Sequence, residues 1–176
     1  EISKIKIIKN KKNFGQSFCI YEGVKNSSYN TIITIDGDLQ NDPKDIKNLC
    51  SIYFNDEKIK LVSGIRKKRK DSKIKIISSR IANNVRSYIL KDNCPDTGCS
   101  LKIFDKVIFL KIPFFNGLHR FIPAFFVGMN CEVKYVSVNH RYRKYGISKY
   151  STLNRMFKGI YDIYRVSKLI RKISNA

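Results

Sequence analysis

The chain reads as an α/β domain with a mainly parallel, doubly wound sheet, and three stretches carry that reading. Thr31-Ile32-Ile33-Thr34-Ile35 is a β-branched, apolar run that passes straight into Asp36-Gly37-Asp38, as a short buried strand does when it delivers a polar turn. Behind it, Ile46, Leu49, Cys50 and Tyr53 recur at helical spacing, and residues 59–65, IKLVSGI, return as a second strand. Strand, helix, strand, helix, strand in that order favours parallel crossover connections.

Taken in order, Ile5 and Ile7 alternate with Lys4, Lys6 and Lys9, which predicts a strand near a sheet edge with its charges facing out. Residues 10–13 form a basic turn, and a helix is expected from about Gly15 to Lys25, with Phe18, Ile20, Tyr21 and Val24 as its apolar side. After the 31–35 strand, Asn41-Asp42-Pro43 is a cap with Pro in the first turn of the next helix. Arg66 to Lys70 is a run of five basic residues, most of them expected in a solvated loop. Residues 72–90 read as a long helix with Ile76, Ile77, Ile81, Ala82, Val85, Tyr88 and Ile89 on one broad face. Asp96, after Pro95, is either a turn former or a site residue, and it precedes a strand over 99–104. Phe114 to Asn130 is dense in aromatic residues, as a core or membrane-facing helix would be, and His119-Arg120 stand out within it. Residues 131–138 supply a further strand, Arg143 to Lys149 a basic loop or hairpin, and everything from 151 on a basic amphipathic helix. The domain reading is therefore 1–150 for the α/β unit and 151–176 for the helix. On the helix, Leu153, Met156, Phe157, Ile160, Ile163, Tyr164, Leu169, Ile170 and Ile173 approximate one stripe, which suits either a membrane surface or the domain's own sheet.

Composition narrows the partners. Thirty-five Lys and Arg against 14 Asp and Glu give +21, which predicts a polyanion: nucleic acid, an anionic membrane surface or phosphorylated substrates. No apolar run approaches the roughly 20 residues a spanning helix needs. Five scattered cysteines, Cys19, Cys50, Cys94, Cys99 and Cys131, show no zinc spacing and suit reduced thiols in a cytosolic setting.

Asp36 and Asp38 carry the chemistry. Two carboxylates at i, i+2 across a glycine, at the carboxyl end of a strand, can converge on a hard cation, and Mg²⁺ or Mn²⁺ shares such oxygens with a substrate's phosphates. Gln40 offers one more oxygen. Alone, Asp-Gly-Asp is first of all a polar turn; the Asp42-Pro43 helix entry that follows it shifts the balance.

The segment IDGDLQNDPKDI resembles the D-x-D segment of family 2 glycosyltransferases, in the branch that includes dolichol-phosphate mannosyltransferase and the bacterial polyprenyl-phosphate glycosyltransferases. NFGQS (13–17), GIRKKRKDS (64–72), SRIAN (79–83), DTGCSLK (96–102), HRFIP (119–123) and HRYRKYGISKY (140–150) match that branch in the same order. The resemblance implies a GT-A, Rossmann-like fold, truncated at its amino terminus, because the family's first strand and nucleobase-holding segment have no counterpart before Glu1. Half of the donor pocket would then be missing, leaving the activity of the isolated chain in doubt.

The same resemblance implies transfer of a sugar from a nucleotide-diphosphate-sugar to a polyprenyl phosphate, with inversion, at the inner face of a membrane. Asp36 and Asp38, with Gln40, would hold Mg²⁺ or Mn²⁺ on the diphosphate. Arg66 and Arg143 would contact phosphate, Arg being able to hold it through two parallel hydrogen bonds. Ser79 and Lys75 would approach the acceptor phosphate, with Lys75 standing where the family commonly has Arg. Ser148 and Lys149 would belong to a flexible loop over the site, and His119 and Arg120 would line the cleft. Asp96 would position rather than act as base, since a phosphate acceptor is already anionic. Two other readings remain: a family 2 transferase with a glycan hydroxyl acceptor, and a nucleic-acid-binding domain driven by charge. Against the second, the basic residues gather around the expected cleft and the terminal helix.

Overall fold

The computed structural model describes residues 5–66, 84–141 and 152–174, the last with side chains from 159 on. Lys75, Ser79, Arg143, Ser148 and Lys149 lie outside the described residues, as do most of the helix expected over 72–90 and the 142–150 loop.

The elements follow as α1 (Gln16–Lys25), β1 (Thr31–Thr34), α2 (Asp45–Asn55), β2 (Ile59–Arg66), α3 (84–90), β3 (Lys102–Asp105), α4 (Lys106–Leu110), a 3₁₀ turn (Leu118–Arg120), α5 (Ile122–Gly128), β4 (Glu132–Val138) and α6 (Thr152–Ser174). The four strands form one sheet in the order β1-β3-β2-β4. β3 is antiparallel to both β1 and β2, while β2 and β4 are parallel. Three strands therefore run one way and β3 alone runs against them.

Both faces of the sheet are covered, as a doubly wound domain requires. Alternate residues of a strand point to opposite faces, so Leu61 and Phe104 join α1, α4, α5 and α6 in one core, built around Phe109, Phe125, Phe126 and Val166. Val62, Ile103, Leu101 and Val138 turn the other way and meet Leu49 and Tyr53 of α2. Ile46 and Cys50 pack beside that second core, which accounts for the helical spacing of all four α2 residues.

Several expectations change on contact with the structure. Residues 5–10 form no strand: Ile5 and Ile7 are 69% and 84% exposed, and residues 5–10 pair with none of the described strands. α2 begins at Asp45, two residues after Pro43, and Asp42 accepts the Lys44 amide on its carboxylate in the turn that leads into it. α3 turns Arg86 and Leu90 inward and leaves Val85, Tyr88 and Ile89 exposed, since the buried Arg86 is paired bidentately with Asp92. The 114–130 stretch is core, not one long helix. Gly117, at φ +113°, breaks it, Pro123 stands in the first turn of α5, and Phe115, Phe121, Phe125 and Phe126 are buried.

The stripe expected on α6 divides. Val166 is fully buried, and Ile163, Leu169, Ile170 and Ile173 pack on the first core, chiefly against α5. Ile160, Tyr161 and Tyr164 face outward instead. At 100° per residue they fall on the same side as Lys168, Arg171 and Lys172. No helix among the described residues is long and apolar enough to cross a membrane.

Candidate active site

Because β1, β2 and β4 share one direction and β3 opposes them, the carboxyl ends of three strands and the entrance to the fourth meet at one edge of the sheet. Asp36 and Asp38 follow β1 there, Arg66 ends β2, residues 94–101 lead into β3, and Asn139 to Arg141 leave β4.

The Asp36–Asp38 turn is half-buried and held on several sides. Gln16 at the start of α1 donates its Nε2 to Asp36 Oδ1 at 2.8 Å, and the Gln40 amide donates to Asp38 Oδ1 at 3.1 Å. Leu39, between them, takes a left-handed conformation at φ +63°, which lets the chain double back toward Asp38. Among the described residues no cluster of three or more His, Cys, Asp or Glu side chains could form a closed metal cage. Two carboxylates do fit Mg²⁺ or Mn²⁺, ions that keep coordination places for water and substrate phosphate. Gln40 Nε2 lies 3.4 Å from both His140 Nε2 and the Arg141 carbonyl.

Arg66 is seated by Asp96. Its Nε and Nη2 donate to the two carboxylate oxygens, each at 2.7 Å, and its backbone amide adds a third bond at 3.1 Å. The Gly98 amide supplies a fourth. A Cβ on Gly98 would stand 2.6 Å from Arg66 Nη2, so a side chain there would have to displace the guanidinium. The Asp96 carboxylate, 4% exposed, thus faces four N–H donors, two of them from the guanidinium of opposite charge.

His119 and Arg120 are drawn into bracing contacts. Ser17 Oγ accepts the Gly117 amide, so its own proton is available to His119 Nδ1, 2.7 Å away. Burial, with Arg120 and Lys102 nearby, pushes the imidazole down to about 4, leaving it neutral. Arg120 pairs at 2.5 Å with the buried Asp162 and so ties the 3₁₀ turn to α6.

Sequence reasoning assigned no role to Gln16, Asn41, Ser100, Lys102 or His140. Lys102 of β3 is buried, with its Nζ donating to the Cys99 carbonyl and Asp36, Asp96 and His119 within electrostatic reach. Burial pushes its ammonium below the usual lysine range. All five stand inside the matched segments NFGQS, IDGDLQNDPKDI, DTGCSLK and HRYRKYGISKY, which is the one signal that marked them. The same edge holds the exit from β4. Asn41 bridges to His140, Arg141 pairs with Asp42 at 2.7 Å, and Asn139 makes two bonds to Asp45.

Known proteins resemble this chain in sequence and in fold. The chain aligns with dodecaprenyl-phosphate galacturonate synthase of Rhizobium johnstonii at 36% identity over 170 residues, 95% of this chain and 50% of that protein. It aligns with undecaprenyl-phosphate 4-deoxy-4-formamido-L-arabinose transferase of Yersinia pestis at 30% identity, over 86% of this chain and 46% of the other. The chain thus spans about half the length of these relatives. Among solved structures, glucosyl-3-phosphoglycerate synthase of Mycobacterium tuberculosis, in complex with Mn²⁺, UDP-glucose and phosphoglyceric acid, superposes with a TM-score of 0.63. That match covers 96% of this chain and 58% of the other at 10% identity, a likeness of fold alone. The family model described as glycosyl transferase family 2 matches residues 1–114, the stretch that contains the Asp36–Asp38 turn, Arg66 and the 96–102 segment, and the chain belongs to that family.

Proposed function

We propose that the protein transfers a sugar from a nucleotide-diphosphate-sugar to a polyprenyl phosphate, with inversion and with a divalent cation, at the cytoplasmic face of a membrane. The observation that carries this reading is the meeting, at one sheet edge, of a paired-carboxylate turn and an arginine seated by its own counter-ion, in a chain whose relatives are named for polyprenyl-phosphate products or acceptors.

Asp36 and Asp38 would hold Mg²⁺ or Mn²⁺, and a cation there supplies positive charge against the leaving diphosphate. Gln40 is assigned to the join between this turn and the chain after β4, given where its amide nitrogen faces. Arg66 orients phosphate through its guanidinium, and Asp96 keeps that guanidinium in place. From the family resemblance, Ser79, Lys75, Arg143, Ser148 and Lys149 complete the phosphate-binding set. His119 and Arg120 act as braces for that wall of the site. The chemistry asks for positioning and charge rather than a protein nucleophile, because the acceptor is an anion.

The outward face of α6 is read as the membrane contact. Ile160, Tyr161 and Tyr164 offer apolar and amphipathic side chains, and Lys168, Arg171 and Lys172 on the same side suit anionic headgroups at about 1 kcal/mol each. Five unpaired cysteines accord with a reducing compartment.

The test is transfer from a radiolabelled nucleotide-sugar, with lipid-phosphate and glycan products separated. Asp38→Asn is expected to abolish metal-dependent labelling of the lipid while the circular dichroism spectrum is kept. Unchanged turnover removes the metal role, and label in a glycan reassigns the acceptor. Salt-sensitive binding to DNA or RNA, with none to anionic vesicles, overturns the membrane reading.

A further inference from the structure

Ser100 does not touch the place where a cation would bind, yet it holds both ends of the turn that would bind it. Its Oγ accepts the backbone amide of Asp36 at 3.2 Å and donates to Asn41 Oδ1 at 2.7 Å. A serine hydroxyl has one proton to give, and here the proton goes to Asn41 while a lone pair takes the Asp36 amide. Asp36 opens the turn and Asn41, 5% exposed, closes it. The backbone of Ser100 is fixed in its turn, because Thr34 Oγ1 donates to the Ser100 carbonyl at 2.7 Å and Thr34 pairs with Lys102 across the β1–β3 ladder. The Asp38 carboxylate accepts the Gln40 amide, and Gln16 donates to Asp36.

We propose that Ser100 is a positioning residue for the Asp36–Asp38 cation site, its hydroxyl clamping Asp36 to Asn41 so that the two carboxylates keep a fixed separation. The proposal rests on the reading of Asp36 and Asp38 as the cation-binding pair and adds the residue that pre-organises them. Removing the hydroxyl leaves the Asn41 oxygen and the Asp36 amide unpartnered in a half-buried place, which frees the turn to relax. Groups that orient metal ligands from behind change affinity by about tenfold or more when lost.

The experiment is a titration of the purified chain with Mn²⁺ alone, reading free Mn²⁺ by its electron paramagnetic resonance signal, for the parent, Ser100→Ala, Ser100→Thr, Asn41→Ala and Asp38→Asn. Expected are about tenfold weaker binding for Ser100→Ala, a smaller loss for Asn41→Ala and recovery in Ser100→Thr, which keeps the hydroxyl. If Ser100→Ala does not fold, the comparison of Asn41→Ala with Ser100→Thr decides the matter in the same way. Parent-like affinity in Ser100→Ala, or in Asn41→Ala should that comparison be needed, overturns the proposal when Asp38→Asn has lost binding. If Asp38→Asn binds as the parent does, the cation reading itself falls and takes this proposal with it.

Discussion

Replacing Asp96 by Asn tests whether this carboxylate exists to hold Arg66. Four donors converge on it, two from the guanidinium at 2.7 Å and two backbone amides at 3.1 Å, and its side chain is only 5% exposed. Asn keeps the shape, loses the charge and turns an NH₂ group toward N–H donors. Breaking a buried ion pair from one side costs about 3–5 kcal/mol, and the 18% exposure of the Arg66 side chain, which lets water reach the stranded cation, favours the lower end. About 3 kcal/mol corresponds to a fall in Tm of roughly 6–12 °C for a chain of this size. Urea denaturation followed by circular dichroism should show a lower midpoint at an unchanged slope. The companion measurement is a cycle with Arg66→Met and Asp96→Leu. Removing both partners should cost clearly less than the sum of the two single losses, because neither charge is then left unpaired. Additive losses, or an Asp96→Asn protein as stable as the parent, would refute the seat.

Two further outcomes follow from the bracing contacts. With a folded-state pKa of about 4 against about 6.5 when exposed, His119 is harder to protonate in the folded protein than in the unfolded chain. Its contribution is intact above pH 6.5 and is lost as the pH falls toward 4, by about 3 kcal/mol in all, and His119→Gln should flatten that part of a stability-against-pH curve measured by urea unfolding. At the α5–α6 contact, a Cβ on Gly128 would stand 2.3 Å from Ile170 Cγ2. Gly128→Ala should therefore lower Tm despite Ala's better helix propensity, with a net loss on the order of 1 kcal/mol, and Ile170→Ala, which removes the clashing Cγ2, should cost less in the Gly128→Ala chain than in the parent. An unchanged Tm would mean that α6 does not lie against α5 as described.

The elements that sequence revealed are those whose signal is local. β-branched runs gave β1 and β2, and helical spacing gave α2, because each reflects one buried face repeated along a few residues. What failed was judgement of which apolar face is inside. Val85, Tyr88 and Ile89 look like a core stripe, yet the helix turns on a charged residue, Arg86, whose partner Asp92 lies six positions on. On α6 the pattern could not separate the side that meets α5 from the side that meets solvent, since both are apolar in part. The carboxylates of the site were visible because they cluster at a strand end. Their supports were not, because Gln16 lies 20 residues from Asp36, Ser100 64 residues from it, and Asp96 30 residues from Arg66. No periodicity links such pairs; only the topology does.

That topology turns on one reversed strand. In a sheet of parallel strands, carboxyl ends line one edge and strand entrances the other, so a loop leading into a strand lies far from a turn leading out of its neighbour. β3 runs backward between β1 and β2, and this brings its entrance, residues 94–101, to the edge where β1 and β2 end. From there Asp96 reaches Arg66 on one side and Ser100 reaches Asp36 on the other, with Lys102 buried between them. Were β3 parallel to its neighbours, the same residues would face the opposite edge and neither contact could form. The spacing between the paired carboxylates and the arginine is therefore set by a single short segment anchored at both ends. A change in its length should displace both halves of the site together, even if the sheet itself survives.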